Sequence, residues 1–111
     1  PDATAKASIE PTPILEVIGE KMEGMNRATA AKFMAAAKGE MPEPPDLSAA
    51  SVVNTDRKEL EELIRLAEAG DAETLRARPI PTYYSTGVKL DRFRMCAVIA
   101  IEARAKAAAA A

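Results

Sequence analysis

The chain has 111 residues, a formal net charge of −2, one cysteine and neither histidine nor tryptophan. That length suits a single domain with one core; the lone cysteine excludes an intrachain disulfide, and the missing histidine removes the usual zinc ligand sets. No stretch approaches the roughly 20 apolar residues that a membrane-spanning helix needs, and no secretory or lipidation motif is evident, so a cytoplasmic location is expected.

Only Phe33, Phe93, Tyr83 and Tyr84 are aromatic, so the core must be aliphatic, with Met22, Met25, Met34, Met41 and Met95 as adaptable fillers. Charge is unevenly placed. Residues 1–50 carry 5 basic and 8 acidic groups, 51–75 carry 3 and 7, and 76–111 carry 7 and 2. An acidic front and a basic back can fold against each other, or the basic end can meet an outside anion.

Residues 1–11 lack periodicity and read as a mobile arm. Thr12-Pro13 is a cap followed by proline at the first helical position. Ile14, Leu15, Ile18, Met22 and Met25 follow at helical spacing, although Gly19 and Gly24 each weaken the helix by about 1 kcal/mol relative to alanine. Asn26 can cap a new start. Phe33 and Met34 anchor the Ala-rich stretch from Arg27 to Lys38, and Gly39 sits where a helix-ending glycine belongs. The helical segment 12–39 therefore reads as two short helices or one long kinked one, with two favoured. Pro42, Pro44 and Pro45 make 40–47 a semi-rigid spacer of polyproline type. Beyond it, 48–106 is the helical core and 107–111 an alanine-rich tail.

Within that core, Ser48 or Thr55 caps a helix whose firm part is Asp56–Ala69. Leu60, Leu63, Ile64 and Ala67 face inward, and Glu59, Glu61, Glu62, Arg65 and Glu68 face water. Gly70 takes a left-handed cap and Asp71 starts a short helix to about Ala77. Pro79 and Pro81 make the next stretch extended without being a central strand. Ser85 caps a long helix over 86–106, and its apolar run Met95–Ile101 must be enclosed on most sides. The expected fold is all-α: a single-domain bundle of four or five helices with the C-terminal helix at its centre.

Catalytic signals are weak. Ser85 and Lys89 are four residues apart, within reach on a helix, but a capping serine bonds a backbone N–H, and neither a third group nor an oxyanion donor accompanies the pair. There is no glycine-rich dinucleotide loop and no calcium-loop spacing. The glutamates at 59, 61, 62 and 68 read as a solvated helix face. No cofactor and no metal are expected.

The strongest functional signal lies at 76–94. Arg76, Arg78, Lys89, Arg92 and Arg94 surround the start of the last helix. Free N–H groups near Ser85, with Gly87 for close approach, make a phosphate cradle there, and Tyr83, Tyr84 and Phe93 can stack on bases. The arginines can equally pair with the acidic 56–73 face. Phe93, set between Arg92 and Arg94, is expected to point inward. The leading expectation is a non-enzymatic helical protein–protein interaction module. Its interface to a protein partner or a second copy is Ile14, Leu15, Ile18, Met22, Met25, Phe33 and Met34. The alternative is an accessory nucleic-acid-binding protein using Arg76, Arg78, Tyr83, Tyr84, Ser85, Lys89, Arg92 and Arg94.

Overall fold

A computed structural model describes residues 26–110. Among them are four helices and no strand: α1 (Arg27–Ala37), α2 (Asn54–Glu68), α3 (Ala72–Ala77) and α4 (Ser85–Ala110). The arm at 1–11 and the helix expected after Pro13 lie outside the described residues.

Local chemistry explains most helix ends. Asn26 Oδ1 accepts from the Thr29 N–H at 2.8 Å, which is the expected cap of α1. The helix closes at Gly39 (φ 90°), where the Gly39 N–H donates to Ala36 O and the Glu40 N–H to Ala35 O. The same pair of bonds closes α2, from Gly70 (φ 70°) to Ala67 and from Asp71 to Leu66. Left-handed backbone favours glycine at both places because a Cβ would crowd the chain. Asp71 then accepts from the Thr74 N–H at 3.1 Å and the Thr74 hydroxyl at 2.7 Å. These bonds start α3 and hold the Asp71 carboxyl below its ordinary range.

The start of α2 departs from expectation. Neither Ser48 nor Thr55 caps it; Val53 is the N-cap and makes no side-chain bond to the helix. Ser48 instead donates its N–H to Asp46 Oδ1 at 3.0 Å, and the chain turns again between Ala49 and Val52. Only after that turn can a helix begin, so it starts at Asn54. Its inner stripe shifts as well. Leu63, Leu66 and Ala67 are buried, whereas Leu60 and Ile64 are half-buried. Glu59, expected in water, is half-buried against Arg78.

Helix α4 packs against all three other helices. It covers the expected 86–106 and continues through the alanines to Ala110, in keeping with alanine's high helix propensity. Ser85 is its first residue rather than a preceding cap. The stretch Cys96–Ala100 is buried throughout because two apolar clusters flank it. On one side Leu63, Leu66, Leu75, Leu90, Phe93 and Val98 join α2, α3 and α4. On the other, Phe33, Ala36, Cys96, Ile99 and Ala100 join α1 to α4, and Met41 packs against both clusters. Phe33 is 2% exposed, and burying such a ring stabilises by about 2–3 kcal/mol. α1 is therefore part of the core and not a detachable arm.

Candidate functional site

The extended stretch before α4 runs close over that helix's first turn. A Cβ on Gly87 would stand 2.0 Å from the Pro81 carbonyl oxygen and 3.0 Å from the Tyr84 ring. The glycine admits the chain's own backbone, which takes up the side of Gly87 where close approach was expected. Tyr84 is engaged too. Its hydroxyl donates to Asp56 Oδ1 at 2.8 Å, and this bond to a carboxylate raises the phenol pKa. Tyr83 leans on Tyr84 with ring centroids 5.0 Å apart and a 53° tilt. Of the two tyrosines, Tyr83 alone presents its ring broadly to solvent, at 89% exposed.

Three of the five expected cations have internal partners. Arg94 donates to Asp91 Oδ1 through Nε at 3.1 Å and Nη2 at 2.7 Å. Its Nη1 donates to the Leu75 and Arg76 carbonyls, both at 3.0 Å. Those carbonyls end α3, where Leu75 O also accepts from the Arg78 N–H, so one guanidinium locks α3 onto α4. Arg78 forms a two-nitrogen pair with Glu59, and Arg76 pairs with Glu102. Only Arg78 draws on the acidic 56–73 face; Arg76 and Arg94 find their carboxylates on α4.

Lys89 and Arg92 have no carboxylate within ion-pair distance among the described residues. They line an open groove of about 800 Å³ between α1, residues 40–46 and α4. Lys32 and Ala35 stand on its α1 side, Phe93 and Cys96 lie beneath, and Glu40, Glu43 and Asp46 line the proline side. Cations on two helices thus face carboxylates on the proline segment. Phe93 is 5% exposed and points inward as expected. Burial pushes the Cys96 thiol up to about 11, so it is protonated at neutral pH and a poor nucleophile.

Two arginines without a sequence signature hold the proline segment at its ends. Arg104 Nε donates to the Gly39 carbonyl at 2.6 Å. Arg57 donates through Nε to Leu47 O at 3.0 Å and through Nη2 to Ala49 O at 2.9 Å. Each looks, in one dimension, like an ordinary solvated helix charge.

Of the expected interface residues, Ile14, Leu15, Ile18, Met22 and Met25 lie outside the described residues. Phe33 is withdrawn into the core and cannot meet a partner, because α1 turns that face onto Cys96 and Ile99. Its neighbour Met34 is 45% exposed. Among the described residues, no helix is long and apolar enough to cross a membrane, and no three His, Cys, Asp or Glu side chains come together as a metal site. Comparison of the chain with protein-family models, curated proteins and solved structures finds no match.

Proposed function

We propose that the chain is a non-enzymatic helical interaction module that binds a protein partner or a second copy of itself. One observation carries this reading over the nucleic-acid alternative. Arg76, Arg78 and Arg94 are held by Glu102, Glu59 and Asp91, and Lys89 and Arg92 face a groove whose other wall is acidic. A phosphate backbone needs a continuous row of available cations, and a surface of mixed sign fits a polypeptide better. Ile14, Leu15, Ile18, Met22 and Met25 supply the apolar side of the interface in this reading, with Met34 beside them.

Size-exclusion chromatography with light scattering on the full chain tests it, at low and high salt, with and without a short mixed-sequence DNA duplex. The expected result is a dimer or larger species that persists in high salt and does not shift with DNA. Removing residues 1–25 should abolish association while keeping the helicity of the rest. The cut stops before Asn26 because α1 is core. A monomer that shifts with DNA only at low salt replaces this reading with the nucleic-acid one.

A further inference from the structure

The proline segment is fixed in an unusual way. Among residues 40–48 there is neither helix nor strand, and Pro42, Pro44 and Pro45 each lock φ near −65°. Met41, Glu43 and Pro44 each precede a proline and are held extended in turn. A polyproline helix repeats every three residues. Residues 41, 44 and 47 then share one edge, 42 and 45 a second, and 43 and 46 a third. The first edge carries both apolar anchors: Met41 packs against the two core clusters, and Leu47 is 7% exposed. Glu43, Pro44 and Asp46 are exposed and Pro42 and Pro45 half-exposed, along the rim of the groove that Lys89 and Arg92 line.

Both ends are pinned as well. Arg104 holds Gly39, Arg57 holds Leu47 and Ala49, and Asp46 accepts the Ser48 N–H. The chain therefore displays a Pro-x-x-Pro edge beside an acidic edge, already ordered and fastened to a folded body. We infer that residues 41–47 are a preformed polyproline ligand for a partner domain whose aromatic-lined groove carries a basic flank. Aromatic grooves take the ridges of a polyproline helix, and its low entropy when free favours binding. Glu43 and Asp46 select among such grooves by charge. This takes up the interaction-module reading but uses a surface other than residues 14–25. Its failure therefore leaves the oligomer measurement untouched, and the reverse holds too.

The test is calorimetric titration of the full chain with three purified proline-reading domains, an SH3, a WW and an EVH1 domain. At least one should bind, the tightest being the one with the most basic groove flank. The double variant Pro42→Ala, Pro45→Ala should lose about tenfold in affinity or more, as anchor residues do. Glu43→Lys touches only an exposed side chain and should weaken binding about threefold. That variant keeps the test valid should the proline pair disturb the fold, with circular dichroism as the check. A free peptide of residues 38–49 should bind about fivefold more weakly than the chain, since it lacks the pins. Binding by none of the three domains overturns the inference. So does a charge reversal without effect.

Discussion

The Tyr84 hydroxyl and the Asp56 carboxylate, 2.8 Å apart, tie the entry of α4 to the first turn of α2. Asp56 is 8% exposed, so the tyrosine also satisfies a carboxylate largely withdrawn from water. The bond requires a protonated phenol, and the folded pKa is raised. A raised folded pKa gives stability that is complete below the ordinary phenol value of about 10 and is lost as pH rises through the folded value. Tyr84→Phe should therefore lower the urea midpoint at pH 7. It should also remove part of the decline that the parent chain shows above pH 10. Equal alkaline declines in the two proteins would refute the assignment.

Gly87→Ala sets two effects against each other. Alanine is the better helix former by about 1 kcal/mol, yet its Cβ would meet the Pro81 carbonyl oxygen at 2.0 Å. That oxygen belongs to the backbone, so the clash cannot be relieved by a rotamer change. Overpacking of this kind costs about 1–3 kcal/mol. The net expectation is a lower Tm, read by circular dichroism at 222 nm, with a larger loss than for alanine at exposed Gly70-like turns.

Arg94 and Arg92 lie two residues apart and should behave differently. Arg94→Ala takes both its bonds from the Asp91 carboxylate and one donor from each of two carbonyls at the end of α3. Bonds to a charged group of this sort are worth about 1.5–3 kcal/mol, so a loss of about 2 kcal/mol is expected in urea. Arg92→Ala removes no ion pair among the described residues and should stay within about 0.5 kcal/mol. Similar losses at both positions would contradict the structure.

Cys96 is 1% exposed, with its thiol raised to about 11 by burial. A thiol reagent at pH 8 should react with the native chain at least on the order of a hundredfold more slowly than with the unfolded one, since opening must come first. The stability linked to this protonated thiol is complete below the ordinary value of about 8.5 and fades as pH climbs through the folded one. Rapid native labelling would show that the α1–α4 contact opens readily.

Much of this was legible along the chain. Asn26, Gly39, Gly70 and Asp71 each act on backbone groups a few residues away, so their roles follow from local geometry. The burial of Phe93 and of Cys96–Ala100 followed from an apolar run too short for a membrane and too apolar for a wet surface. The cap of α2 differs from expectation because the chain turns once more between Ala49 and Val52, so the helix begins only at Asn54. That Pro81 comes back over Gly87 is set by a bend that no residue pattern announces.

The amino-acid sequence alone determined the all-α class, most helix ends and the central place of the last helix, because hydrogen-bond closure and apolar periodicity act over one or two turns. Tertiary structure decided what the charges do. Arg76 and Arg94 meet α4 carboxylates, Arg78 meets Glu59, and Arg57 and Arg104 fasten the proline segment. An arginine side chain is long and carries several donors, so its partner is whatever acceptor packing brings within reach. That depends on which helices meet, and in this chain the meeting is set by the apolar faces of α4.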